Sequence, residues 1–309
     1  MSRLASLSPL SRLPRLAHAL LFAVLGALSF AADSRAELLA LCGAYPPELT
    51  ALRDEFGATE ANGFTKETFK GVTFWRGRVG RHDVVLFRTG TSVVNAAYQL
   101  QLALDHLPIT AVLFAGVAGG TDPKLRVGDI VVPERWAYHD ESAYLNDDGH
   151  GGYVKPDYLT IRHEHFGMIH PDDVAAVRDG AADYETMPVF PIDPALLDAT
   201  RRAIAKLPKF HRADHDVAIH VGGTGVTGSV FLDNRAYREW LQKVWSARCT
   251  DMESTALAHV AWCNRVPILI VRGLSDLAGG QHGANPIDAN ELPVSRVAAK
   301  VLRQVVDEL

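Results

Sequence analysis

The chain has 309 residues, 31 Lys+Arg against 36 Asp+Glu for a formal charge of −5, and a hydrophobic share of 48%. So mild an acidic excess argues against nucleic-acid binding, which shows as a basic face, and the apolar share excludes a disordered chain. Cys42, Cys249 and Cys263 have no framework spacing, which excludes a disulfide scaffold and leaves buried thiols as the default.

In chain order, Arg3, Arg12 and Arg15 precede an uncharged apolar run from Ala19 to Ala32, with small residues at Ser29/Ala31 and Ser34/Ala36. That order predicts a secretory signal peptide over residues 1–36, cut after Ala31 or Ala36. The run is shorter than the ~20 apolar residues of a membrane span. The expectation is an exported protein, periplasmic or secreted, with no membrane contact after cleavage.

Leu38–Gly43 then reads as a strand, and Pro46–Phe56 as a helix with prolines in its first turn. Phe74–Gly80 and Asp83–Thr89 flank Arg81–His82 as a hairpin. Val93–Leu107 is an amphipathic helix stopped by Pro108. A short strand, Ala111–Ala115, runs into the glycine-rich turn Gly116–Gly120, and Val127–Val132 is another strand. Residues 140–190, rich in Asp, Gly, Tyr, His and Pro, read as a long, largely irregular insertion or lid. His163–Glu164–His165 within it reads as surface loop rather than a metal ligand set, and no metal or cofactor is expected.

Beyond it come a helix at Pro194–Leu207, a strand at Val217–Gly222, a helix at Arg235–Val244 and a strand ending at Met252. A helix at Ser254–Asn264 and a strand at Ile268–Leu274 follow. The last helix carries Val294, Val297, Ala298, Val301, Leu302 and Val305 on one stripe. No linker or repeat divides residues 37–309. The fold class expected is α/β, a single domain with a central mixed, partly parallel sheet flanked by helices.

In such a sheet the cleft lies at the carboxyl ends of the strands. Gly43–Glu48, Gly116–Gly120, Asp251–Glu253 and Arg272–Asp276 converge there on this reading. The glycines permit close backbone approach to a ligand. Singly, these residues have plainer readings. Glu48 fits a solvated helix face, Phe231 fits a core, and Ser275–Asp276 fits a turn. Asp251 fits a cap of the following helix or a solvent-facing side chain.

Together they carry a resemblance. Gly43–Ala44–Tyr45–Pro46–Pro47–Glu48, the Ala115–Gly120 turn leading to Val127–Val132, Tyr138–His139–Asp140, Asp251–Met252–Glu253 and Ser275–Asp276 occur in one order and spacing. The chain resembles the methylthioadenosine/S-adenosylhomocysteine nucleosidase branch of the purine nucleoside phosphorylase superfamily, over about residues 38–308. The resemblance implies a three-layer sandwich and cleavage of the N-glycosidic bond of a purine nucleoside. It assigns Asp276 to protonate the purine N7, with Ser275 orienting it, and Glu48 to serve as base for the attacking water. Glu253 would hold the ribose hydroxyls, Met252 would pack on the sugar, and Arg272 would lie near water and ribose. Phe231 and Leu232 match the segment that stacks on the base. It also implies a homo-oligomer, a dimer being favoured.

Some positions depart from that pattern. Tyr45 stands where a smaller apolar residue lines the 5′ pocket, and Val117 where a Ser or Thr hydroxyl helps place water or phosphate. The phosphorylase branch needs cationic groups for phosphate. Its Gly-Asp-Pro and its arginine before the Gly116 turn are absent, Tyr45–Pro46–Pro47 and Phe114 standing there. Water is therefore the expected nucleophile. Phosphorolysis, with Arg88 as an anion ligand, and a non-catalytic nucleoside-binding relative are the alternatives.

Overall fold

Leu38–Gly43 forms β1, six buried residues without alternation, as in a strand covered on both faces of a parallel sheet. The computed structural model describes residues 37–159 and 163–309; the expected signal peptide, residues 1–36, lies outside the described residues. α1 (Pro46–Phe56) begins with Pro46 and Pro47, whose missing N–H groups leave fewer donors to satisfy, and stops at left-handed Gly57 (φ 62°). β2 (Thr65–Phe69), β3 (Val72–Val79) and β4 (His82–Arg88) form an antiparallel meander. α2 (Val93–His106) and the twelve-residue β5 (Ile109–Gly120) follow.

β6 (Ile130–Val132) and β7 (Arg135–Tyr138) lead to the insertion. There β8 (Ser142–Tyr144), β9 (Asn146–Asp147), β10 (Tyr153–Val154), β11 (Ile169–Pro171), β12 (Val174–Ala176) and β13 (Glu185–Met187) make three small antiparallel pairs. Residues 140–190 are thus less irregular than their composition implies. The chain returns through β14 (Phe190–Pro191), α3 (Pro194–Ile204), β15 (Ile219–Val221), β16 (Thr224–Thr227) and α4 (Arg235–Trp245). It ends with β17 (Ala247–Asp251), α5 (Ser254–Cys263), β18 (Ile268–Asp276) and α6 (Ile287–Glu308).

Twelve strands make one sheet in the order β14-β7-β16-β17-β5-β1-β4-β3-β2, with β18 beside β5 and β6, and β15 beside β6. β1, β4, β5 and β18 run parallel, whereas β17 meets the tip of β5 antiparallel at Gly119 and Gly120. The sheet is therefore mixed and partly parallel, flanked by helices, as expected. α1, α3 and α6 pack together, and α2 packs on α5. Val294, Ala298, Val301, Leu302 and Val305 of α6 are buried. A second apolar cluster joins Tyr237, Trp240, Leu241 and Trp245 of α4 to Phe166 and Ile169 of the insertion. Cys42 and Cys249 are buried thiols, while Cys263 is half-buried. No described helix is long and apolar enough to cross a membrane.

One correction shapes the site. Gly116–Gly120 is not a turn but the end of β5, paired with β18 and β17. The glycines serve close approach: a Cβ on Gly116 would collide with Oε1 of Glu48 and Nη1 of Arg272.

Candidate active site

Four carboxyl strand ends, from β1, β5, β17 and β18, surround one cleft. Of the ten residues singled out in the sequence, Tyr45, Glu48, Val117, Phe231, Leu232, Met252, Glu253, Ser275 and Asp276 line it. Arg272, the tenth, is fully buried and holds the acids together. Sequence reasoning missed Thr91, Val230, Thr250 and Ile287, which also line the cleft, as does Asp251 of the converging Asp251–Glu253 segment. No described residue of 140–190 does.

Glu48 is the third residue of α1, where its carboxylate meets the positive end of the helix. It reaches back as a capping-box glutamate does, taking the Ala44 N–H on Oε2, while the Val117 N–H donates to Oε1 at 2.8 Å. Arg272 Nη1 also donates to Oε1, at 3.2 Å. Val117 thus contributes its backbone, the part of the residue that the missing hydroxyl does not affect. Burial pushes Glu48 up from the usual carboxylate range, opposed by the Arg272 guanidinium and by backbone N–H groups.

Glu253 follows β17. Its Oε2 accepts from Arg272 Nη2 at 2.9 Å and its Oε1 from the Ser92 N–H at 3.0 Å. Ser92 has φ 76° and ψ 156°, a region costly for any residue but glycine. The strain sits where the amide reaches the carboxylate. Burial, opposed by Arg272 and reinforced by Asp251 and Glu48, pushes Glu253 up to about 7.

Asp276 ends β18 beyond a register shift. Its carboxyl accepts from the Ala278 N–H at 2.7 Å and from the Ser275 hydroxyl at 2.9 Å. Burial raises its pKa against neutral hydrogen bonds, including one from Asn285, and the charge of Asp233 raises it further. Glu48 therefore has a cation for its nearest charge, and Asp276 an anion. Burial raises both acids, and the neighbouring charge opposes that rise at Glu48 and adds to it at Asp276.

Phe231 and Val230 lie at the mouth, 56% and 47% exposed. Tyr45 is half-buried, and its hydroxyl donates to Glu291 of α6 at 3.1 Å. Asp251 does cap α5, accepting from the Ser254 N–H at 3.2 Å. It does not face solvent: it is 8% exposed and pairs with Arg272 at 2.6 Å. His163 and His165 pack on neighbouring rings: His163 tilts against Trp245, and His165 lies edge-on to Tyr153.

Residues 38–309 match the family model described as the phosphorylase superfamily. The chain belongs to that superfamily. Among curated relatives, a 5′-methylthioadenosine/S-adenosylhomocysteine nucleosidase of Mycobacterium bovis is 30% identical over 240 residues, 75% of this chain and 83% of the relative. A nucleosidase of the same name from Geobacillus kaustophilus is 28% identical over 248 residues, 80% of this chain and 87% of the relative. This superfamily member is thus nucleosidase-like. Its fold matches a Helicobacter pylori 5′-methylthioadenosine/S-adenosylhomocysteine nucleosidase, with a TM-score of 0.67, 20% identity, and coverage of 89% of this chain and 99% of the other. It equally matches Helicobacter pylori futalosine hydrolase, with a TM-score of 0.66, 19% identity, and the same coverage.

Proposed function

We propose that this chain hydrolyses the N-glycosidic bond of adenosine-type nucleosides such as 5′-methylthioadenosine or S-adenosylhomocysteine, releasing the free base and the ribose that keeps its 5′ substituent. One observation carries the reading: three buried carboxyl groups, from residues 48, 253 and 276, border one cleft, with a buried guanidinium joining two of them.

Breaking the bond between C1′ and the purine nitrogen develops positive charge on the sugar and negative charge on the base. Asp276, pushed toward its protonated form, gives its proton to N7. Proton donation of this kind contributes ~10²–10⁴ in rate. Glu48, raised by burial and so a stronger base than an exposed carboxylate, takes a proton from water as the water oxygen bonds to C1′. Glu253 accepts the ribose hydroxyls, and its charge favours an oxocarbenium-like state. Phe231 covers the base from the mouth, and Met252 packs on the sugar.

The acting nucleophile is read as water because Phe114, an apolar ring, stands beneath Arg272 where a phosphate-binding cation is expected. The signal-like N-terminus supports export, and the superfamily resemblance supports a homodimer. The deciding experiment incubates enzyme with 5′-methylthioadenosine in phosphate-free buffer. Release of adenine with free sugar is expected. Turnover only when phosphate is added would make the chain a phosphorylase, and tight binding without turnover would make it a nucleoside-binding relative.

A further inference from the structure

Asp251 accepts an unusual number of donors for a side chain outside the acid set described above. Its Oδ1 accepts from the Thr227 hydroxyl at 2.6 Å and from the amides of Glu253 and Ser254 at 3.3 and 3.2 Å. Its Oδ2 accepts from the Ser254 hydroxyl and from Arg272 Nε at 2.7 Å, and it lies 2.6 Å from Arg272 Nη2. Thr227 and Ser254 are fully buried, so the carboxylate is fixed from β16 and α5 as well as from β17.

A guanidinium offers five N–H donors in one rigid plane. Asp251 Oδ2 accepts the Nε–H, which Ser254 Oγ shares at 3.1 Å, and it lies 2.6 Å from Nη2, while Glu253 accepts from Nη2 and Glu48 from Nη1. The edge held by Asp251 sets the orientation of the plane, and the two outer nitrogens then face the two acids of the cleft.

We propose that Asp251 is a positioning residue for Arg272, locking the guanidinium so that Nη2 meets Glu253 and Nη1 meets Glu48. This rests on the hydrolase reading for its effect on turnover, but not for its effect on Arg272. Asp251 also acts on Glu253 by charge. The groups facing Glu253 are Arg272 from β18, Asp251 from β17, Glu48 from α1 and the Ser92 amide at the start of α2. Of these, Asp251 and Glu48 raise its pKa and Arg272 lowers it. Asp251 thus bears on Glu253 in two opposed ways, raising it by its own charge and lowering it through the Arg272 that it holds.

The test compares wild type with Asp251→Asn and Thr227→Val, the second loosening Asp251 without altering charge. Two readouts are taken: kcat/KM on 5′-methylthioadenosine, and the exchange protection of the Arg272 Nε–H signal in the NMR spectrum. Asp251→Asn is expected to lose kcat/KM by about 10²-fold, the order of loss from a small misplacement of reacting groups. Its Nε–H protection falls. Thr227→Val is expected to lose severalfold with protection reduced.

Wild-type protection in whichever variants fold would overturn the proposal. Wild type that releases no base from any nucleoside would instead remove the hydrolase reading. In that case the Nε–H signal still decides whether Asp251 holds Arg272.

Discussion

The Arg272 guanidinium carbon lies 4.2 Å from the centroid of the Phe114 ring, with both side chains fully buried. Phe114 sits on β5, opposite Ile270 of β18. A cation over a ring face is worth about 2 kcal/mol when desolvated, so the ring is a floor for the guanidinium as well as core. Phe114→Leu is expected to lower unfolding stability by roughly 1–3 kcal/mol from the lost contact and the cavity. It should also depress kcat/KM, because Arg272 loses its support. Urea unfolding and steady-state kinetics on one preparation check both; unchanged kinetics would show that the ring acts as core alone.

Asp276→Asn keeps the shape of the side chain and its place beside Ser275 while removing the transferable proton. Turnover is expected to drop by ~10²–10⁴-fold, with nucleoside affinity nearly kept. Isothermal titration with 5′-methylthioadenosine, alongside a base-release assay, separates the two effects. Equal turnover in wild type and variant would take Asp276 out of the mechanism.

Glu253, raised from an ordinary value of 4.5 to about 7, ties activity and stability to pH in opposite senses. If the ribose hydroxyls need the anion, kcat/KM rises as pH climbs through about 7. Stability runs the other way. The folded protein holds a proton on Glu253 that the unfolded chain has released, so this contribution is present below 4.5 and fades as pH rises toward about 7. Glu253→Gln, which cannot ionise, should gain in melting temperature over wild type on going from acidic to alkaline buffer. A difference that stays flat across that range would mean that Glu253 titrates normally.

Gly116→Ala places a methyl group against Oε1 of Glu48 and Nη1 of Arg272. Neither neighbour is free to yield, since each is fully buried within the cluster. Overpacking of this kind costs about 1–3 kcal/mol, and here it also pries the acid from the guanidinium. Near-complete loss of turnover with a lowered melting temperature is expected. The glycine is thus required by side chains from two other elements, and not by a turn.

That example shows why parts of the molecule were legible in sequence and others were not. Buried apolar strands such as Leu38–Gly43 and the striped last helix announce themselves, because burial on a fixed period is written in residue type. β2, with sequence Thr-Lys-Glu-Thr-Phe, is largely exposed and has no apolar alternation; its strand state comes from pairing with β3. The four-residue β16 is likewise held by its neighbours β7 and β17. The end of β5 read as a turn because glycines usually make one. Asp251 gave both a right and a wrong signal: capping is local and visible, whereas its contact with Arg272 is made only when β17 and β18 come together. The strain at Ser92 has no signature in residue type at all.

Phe231 supplies the sharpest separation of binding from folding. At 56% exposed it adds little to the core, so Phe231→Ala should change stability by no more than about 0.5 kcal/mol. If the ring stacks on the purine, its removal forfeits an aromatic contact worth about 0.5–1.5 kcal/mol, or up to roughly tenfold in KM. The change should be weaker in kcat, since the ring touches the base in ground and transition states alike and uniform binding does not alter the chemical step. Leu232, packed against the α4 cluster, serves as the internal control: its truncation should cost stability first. A Phe231→Ala enzyme with wild-type KM and an unaltered melting curve would leave the ring outside the base site, and the mouth of the cleft would then need another occupant for that face.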